Sequence, residues 1–476
     1  MRAVDVACHR GAQYTDVRTV NHREESLSVK DGIVEELDSS ETEGVGIRVL
    51  VNGAWGFASS RDLNNDEIDR ITAQAIEIAH ASGLVSRERV DLGPKVTSQG
   101  TYQTPVQIDP FSVSMEDKLA LLMKTDVELS KVQGVRTRQS HTTMLKEHKY
   151  FANSEGAYTE QTIIETGGGI QATAVGGSEI QVRSYPNAFA RQQVTGGWEA
   201  ILSWDLPGNA QRIGSEAVAL LTADPCPSNI ITSLILGGSQ LALQVHESCG
   251  HPTELDRVYG SEAAYAGTSF LTTDKLDKFR YGSPMVNLTA DSVRPLGLGT
   301  FGWDDEGVAA QSSPLVRDGL FVGYLMSRET ASKLGRFSNA CMRASGWNRM
   351  PIIRMVNVSL EPGTWKFDDL IADTDDGIYM DSNRSWSIDD KRYNFQFGTE
   401  IGYEIKHGKL GRMLRNCTYM GITPEFWNSC DAVCNADHWV MWGTPNCGKG
   451  QPPQVAHTGH GAAPARFRNV KIGVLK

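Results

Sequence analysis

His246, Glu247 and His251, in the run Val245-His246-Glu247-Ser248-Cys249-Gly250-His251, bring two imidazoles and a carboxylate within six consecutive residues. Neutral imidazole nitrogens suit a borderline-soft ion such as zinc, and a glutamate beside the first histidine can take a proton from water that the ion polarises. Together they suggest a metal-dependent hydrolase, but the spacing is unusual. Histidines at i and i+4 lie about 40° apart around a helix, whereas at i and i+5 they lie about 140° apart. A regular α-helix cannot aim both rings at one ion. On spacing alone, the competing reading has one histidine capping or packing and the other at the surface. Gly250 tolerates irregular backbone angles and Pro252 biases His251 away from the α region, which predicts a helix that loosens or ends at the second histidine. A π-bulge, widening one turn toward i+5, would also bring the rings together.

A catalytic zinc takes three protein ligands and keeps one position open, so another donor is required. Cys417, Cys430, Cys434, Cys447, Glu254, Asp256, His457 and His460 all qualify, and composition does not choose among them. Cys430, Cys434 and His438 recur every four residues, so on a helix they would share one face as a rival metal site. No fourth ligand for that site is obvious, and a free cysteine is often simply a small buried side chain. Cys249 points off the ligand face and reads as packing. Gly297-Leu-Gly299-Thr-Phe-Gly302 has the form of a dinucleotide fingerprint. The acidic run Asp304-Asp305-Glu306 follows where a helix N-terminus is needed, so a nucleotide role is set aside. The acidic run itself reads as an exposed charged turn, with a hard cation or a substrate amine as the alternative.

The elements that must position these residues are of both kinds. From residue 12 to about 60, short β-rich runs end in Asn52-Gly53, a hairpin signal. Helices are predicted from Asn64 to Gly83 and from Ser114, each opened by a capping residue and carrying one apolar face. Residues 135 to about 200 alternate apolar and polar positions around Gly167-Gly168-Gly169, which suggests antiparallel strands and no helix. Pro207 to Ala223 reads as a helix, Ile230 to Leu236 as a buried strand, and Gly237-Gly238 as the entry to the helix that bears the histidines. Strands are predicted at Ile352 to Leu360 and Gly398 to Met413, the latter with a turn at His407-Gly408. The expected fold is α+β. An N-terminal α/β region with an antiparallel β extension spans 1–221, with a subdivision near 86–110. A C-terminal metal-bearing domain, 222–476, is built on a large, mostly antiparallel sheet.

A chain of 476 residues has room for two or three cores, and its 40% hydrophobic and 22% charged content is that of an ordinary globular protein. A net charge of −11 and a pI near 5.5 oppose binding to nucleic-acid phosphates. Eight scattered cysteines fit reduced thiols better than a disulfide-stapled scaffold. No apolar run has the length of a signal peptide or a membrane span, so a cytoplasmic location without membrane association is expected.

The run His246-Glu247-xxx-His251-Pro-Thr-Glu254-Leu-Asp256 resembles the HExxxH signature of the TldD/PmbA metalloprotease family, historically called modulators of DNA gyrase. Further blocks match in order: Tyr14-Thr-Asp16-Val-Arg18, Gly44 to Ala58, Asp304-Asp305-Glu306-Gly307, Gly323-Tyr324-Leu325, Pro351 to Asn357, and Thr444-Pro-Asn-Cys447-Gly448-Lys449-Gly450-Gln451. The resemblance is to the TldD branch, which carries the metal motif that the PmbA branch lacks. It implies zinc held by His246, His251 and Cys447, with Glu247 as general base. It further implies unfolded or short peptides as substrates, cleaved in a cavity enclosed by a homodimer or by a heterodimer with a PmbA-like paralogue. Two other readings stand beside it: a noncatalytic regulatory or assembly subunit, and a structural-zinc interaction protein with a closed site.

Overall fold

Two long strands, β1 (Tyr14–Lys30) and β2 (Ile33–Val51), form a hairpin around Asp31-Gly32, where both residues take positive φ of 50° and 78°. The outer half of β2, rich in Glu, Asp and Ser, lies in solvent, while Val45, Ile47, Val49 and Val51 are buried. They pack on Ile71, Ala75, Ile76 and Ala79 of a helix at Asn65–Gly83, whose N-cap Asn64 accepts from the Glu67 amide at 2.9 Å. β3 (Ala54–Ser60) completes the hairpin series, and at Gly56 a Cβ would stand 1.9 Å from the Ala75 carbonyl oxygen, so glycine here permits close sheet–helix contact. The computed structural model describes residues 1–86, 88–450 and 453–474; Gln451, the last residue of the final family block, lies outside the described residues.

With β4 (Gln99–Gln103), β5 (Val135–Asn153) and β6 (Tyr158–Gly176), these strands form a sheet in the order β3-β2-β1-β5-β6-β4. Only the β4–β6 pairing is parallel. β7 (Glu179–Tyr185) and β8 (Gln192–Thr195) also pair with β6. Helices at Met115–Ser130 and Leu206–Leu220 cover this sheet. The stretch predicted free of helix is interrupted at its end by Trp198–Trp204. Asp205, in the left-handed region at φ 44°, breaks that helix and caps the next by accepting from the Gly208 amide at 3.1 Å.

In the C-terminal half, β9 (Ile230–Leu236) runs into the helix Gly238–Val245. Five strands close on themselves here. β9 pairs with β10 (Asp376–Ile388), β10 with β11 (Asn394–Lys406), β11 with β12 (Cys417–Ile422), and β12 with a C-terminal strand, Ala465–Val474, which returns to β9. Phe395, Phe397, Tyr419, Phe426, Trp427 and Phe467 are buried in the same core. A second sheet carries β13 (Val440–Lys449) as one edge, paired with β14 (Gln454–Ala462). The 238–245 helix packs against both β10 and β14.

The architecture is α+β with largely antiparallel sheets, and several local expectations are corrected. The strand predicted from Ile352 to Leu360 is broken into Ile352–Ile353, which pairs with Met342–Arg343, and Asn357–Leu360, which joins the second sheet; Arg354, between them, donates to the Gln454 and Cys447 carbonyl oxygens. Cys430 to His438 is not a helix: Cys430–Val433 is a strand and Ala436–His438 a single 3₁₀ turn. Their side chains therefore diverge, with both cysteines buried and the His438 ring accepting from the Phe367 amide at 3.2 Å. The dinucleotide-like glycines lead into no helix; Gly299 donates its amide to Asn357 at 2.8 Å.

The acidic run is the largest departure, because Asp304, Asp305 and Glu306 are buried rather than exposed. Arg18 and Lys149 reach Asp305 at 3.3 and 2.8 Å, and Arg48 lies 3.4 Å from Glu306 and 2.7 Å from Asp16. Lys149 and Arg18 overcome burial and hold the Asp305 carboxyl down at about 2. Asp304 has no such cation, and burial next to Glu306 pushes it well above the ordinary carboxylate range. The N-terminal blocks around Arg18 and Arg48 thus dock the first sheet on the C-terminal half.

Candidate metal centre

The helix at 238–245 gives way to a π turn over His246–Gly250 and then a 3₁₀ turn over His251–Thr253. A wider turn turns an i, i+5 pair to one face, and the two imidazole centroids stand 4.9 Å apart. The expected cause needs correcting. His251 keeps α-type angles, φ −56° and ψ −42°, despite the proline after it, and Gly250 is equally regular at φ −67° and ψ −66°. What Gly250 supplies is space: a Cβ there would meet Met355 Sδ at 2.0 Å.

Cys447 approaches from edge strand β13, where a register shift between Thr444 and Cys447 interrupts pairing with β14. One ligand atom each from His246, His251 and Cys447 lies within 4.8 Å of the others, and all three residues are buried. Cys447 Sγ is 3.7 Å from His251 Nε2. Zn–S of about 2.3 Å and Zn–N of about 2.0–2.1 Å at a tetrahedral angle require a separation of about 3.6 Å. Burial pushes the Cys447 thiol up, but His251 and Arg354 outweigh it and leave the thiol below its ordinary value. Zinc therefore fits this donor set. Among the described residues no other group of three or more His, Cys, Asp or Glu side chains gathers in this way.

Hydrogen bonds fix which imidazole nitrogens are left free to meet a metal ion. His460 Nδ1 lies 2.9 Å from the Val358 carbonyl oxygen, which can only accept, so His460 donates there and keeps a lone pair on Nε2. That Nε2 lies 2.7 Å from His246 Nδ1, which must donate, leaving His246 Nε2 unprotonated. His251 Nδ1 likewise donates to Glu254 at 2.9 Å. Burial opposes the charge on Glu254, but Lys449, His251 and Arg257 hold its carboxyl well below the usual range. Lys449 stands 3.3 Å from Glu254 and 2.8 Å from Asp256, so one ammonium ties the cysteine strand to the histidine segment. Such supporting bonds typically matter ~10–100-fold in metal affinity. His460→Phe, which removes the acceptor from His246, is expected to weaken zinc binding by about that factor in a competitive chelator titration.

Glu247 is buried and accepts from Arg392 Nη1 at 2.8 Å. Burial raises its pKa, yet His251, His246 and Arg392 bring it below the ordinary carboxylate value, so it is ionised. It opens on a cavity of about 330 Å³ lined also by Asn187, Phe189, Arg191, Trp386, Arg392 and Asn446. Of the other candidate donors, His457 pairs with Glu165 at 2.5 Å. Cys249 is buried beside the Tyr281 hydroxyl at 3.1 Å and pushed up to about 12. Arg392 and Arg191 escaped the sequence reading because single arginines in loops carry no spacing signal, and Arg354 stood in a matching block with no role assigned.

Two imidazoles and an acidified thiol converge on one point, a donor set suited to a borderline-soft metal ion, and the ionised Glu247 carboxylate lines the same cavity. Family models agree: residues 15–79 match PmbA/TldA metallopeptidase domain 1, 108–223 the central domain and 232–473 the C-terminal domain. The chain belongs to the PmbA/TldD metallopeptidase family. It is 30% identical over 466 residues to a metalloprotease of Methanothermobacter thermautotrophicus, covering 97% of this chain and 95% of that protein. It is 25% identical to the TldD homolog metalloprotease of Haemophilus influenzae, covering 98% and 94%. Among solved structures, a candidate DNA gyrase modulator of Thermotoga maritima superposes with a TM-score of 0.79 at 18% identity over 99% and 98% of the two chains. TldE from Thermococcus kodakarensis gives 0.73 at 17% identity over 99% and 98%.

Proposed function

We propose that this protein is a zinc-dependent peptidase of the TldD type acting on unfolded or extended polypeptides, with His246, His251 and Cys447 as metal ligands and Glu247 as general base. The observation that carries this reading is the convergence of ionised Glu247 with the three donor side chains on one cavity. When bound, zinc supplies a Lewis acid for the scissile carbonyl and lowers the pKa of water in the site. Glu247 takes the proton from the attacking water and delivers it to the leaving amine. Arg392 keeps the Glu247 carboxylate charged and fixes its rotamer. Among the described residues β13 pairs only with β14, and beyond Gly443 its residues Thr444 to Gly448 line the cavity. That edge favours an extended substrate held by backbone hydrogen bonds, with weak dependence on side chains.

A cavity enclosed between two subunits, in a homodimer or with a PmbA-like paralogue, would admit a strand and refuse a globule. One polypeptide offered unfolded and then locked in its native fold, digested with and without chelator and read by mass spectrometry, tests the reading. Chelator-sensitive cleavage of the unfolded form alone is expected. Cleavage that survives chelation would remove zinc from the mechanism, and equal cleavage of both forms would reject the enclosed site. Zinc binding with no cleavage of either form would favour a structural-zinc or regulatory subunit.

A further inference from the structure

Arg191 is a charged side chain in the cavity with no counterpart. Its guanidinium lines the space that holds Glu247 and a neighbouring smaller one lined by Glu24, His141 and Gln193. The carboxylates of both spaces are engaged elsewhere. Glu247 is taken by Arg392, and Glu24 lies 3.9 Å from His22. Among the described residues Arg191 forms no ion pair and no side-chain hydrogen bond; it lies over the Phe189 ring, 4.7 Å from the centroid. Half-buried with no anion nearby, it is destabilised in its charged form, in a chain that carries eleven more acidic than basic groups.

The backbone that presents it is strained and anchored. Phe189 and Ala190 both take left-handed angles, φ 57° and 58°, which non-glycine residues hold only where surrounding structure forces them. Asn187, just before them, donates to the Gly443 carbonyl oxygen of β13 at 3.2 Å and accepts from Ser239 of the 238–245 helix at 2.6 Å. The segment is thus tied to the strand that carries Cys447 and to the helix that leads to His246. Phe189 also meets Trp386 edge to face at 6.1 Å, placing an apolar wall beside the guanidinium.

We propose that Arg191 is a substrate-binding residue that anchors a carboxylate of the bound peptide, either its C-terminus or an Asp or Glu side chain, with the adjoining apolar group against Phe189 and Trp386. This rests on the peptidase reading for the nature of the ligand. A forked guanidinium pairs with a planar carboxylate through two parallel hydrogen bonds, a match that an amide does not reproduce.

The test is calorimetric binding to the zinc-loaded full chain. Three short peptides of one sequence are used, each with its final linkage replaced by a non-hydrolysable CH₂–NH group. One ends in a free carboxylate, one in an amide, and one in an amide after a Glu placed last. The free acid or the Glu peptide is expected to bind roughly 10- to 100-fold more tightly than the plain amide. The stronger of the two identifies the source of the carboxylate. Arg191→Gln is expected to erase that preference and Arg191→Lys to keep part of it. A purely structural role for Arg191 would weaken all three peptides alike and overturn the proposal. So would equal binding of the three by the wild type, or a preference that survives in Arg191→Gln. Hydrolysable parent peptides are assayed separately. No cleavage of them, with the carboxylate preference intact, would bring down the peptidase reading and leave the Arg191 subsite standing.

Discussion

Glu247→Gln is expected to leave zinc in place and remove peptide cleavage, with a loss of roughly 10²–10⁴ in turnover. The amide keeps the volume of the carboxylate and an oxygen that can still accept from Arg392, so packing around the 238–245 helix is preserved. What it cannot do is take a proton from water. Metal analysis of the purified variant separates this from ligand loss, and full zinc occupancy with no product is the expected pair of readings. Undiminished cleavage would take Glu247 out of the mechanism.

Cys447→Ala is expected to give the opposite pattern, a chain that folds but does not retain zinc. The thiolate is the only anionic donor of the three ligand side chains, and two neutral imidazoles alone hold zinc far less tightly. A ligand at a thousand times its Kd stabilises the state that binds it by about 4 kcal/mol. The wild type should therefore lose melting temperature on chelation, while Cys447→Ala should already melt at the chelated value. Cys430→Ala is the control: its thiol is buried and pushed up to about 12, and no histidine of the centre touches it. Full zinc in Cys447→Ala, together with loss in Cys430→Ala, would move the site to the second cysteine pair.

The sequence announced the metal motif because all its residue types lie within one short run. It also announced the difficulty of that run, since i, i+5 histidines demand a widened turn, and the π turn at His246–Gly250 is that solution. The choice of Cys447 came from resemblance rather than from spacing, because a strand of a different sheet brings it to the histidines. Helices with capping residues and apolar faces were legible at Asn65–Gly83 and Met115–Ser130. The length of β2 was not, because its outer half is rich in Glu, Asp and Ser, lies in solvent and reads as loop. The acidic run misled for a related reason. Three consecutive acids belong at the surface unless cations answer them, and those cations, Arg18, Arg48 and Lys149, sit more than a hundred residues away in the chain. His460 was weighed as a ligand, and the structure shows it hydrogen-bonded to His246, with the Val358 carbonyl oxygen on its other ring nitrogen.

The buried ion pairs between Arg18, Arg48 and Lys149 and the acidic run make the two halves thermodynamically inseparable. Cut apart, the C-terminal piece would keep Asp305 without Arg18 and Lys149, while in the N-terminal piece Arg48 would keep only Asp16. Breaking one such pair costs about 3–5 kcal/mol, a large share of the ~5–15 kcal/mol that holds a typical domain folded. The chain should therefore melt as one cooperative unit, and limited proteolysis between its halves should yield a nicked, associated pair rather than two soluble fragments.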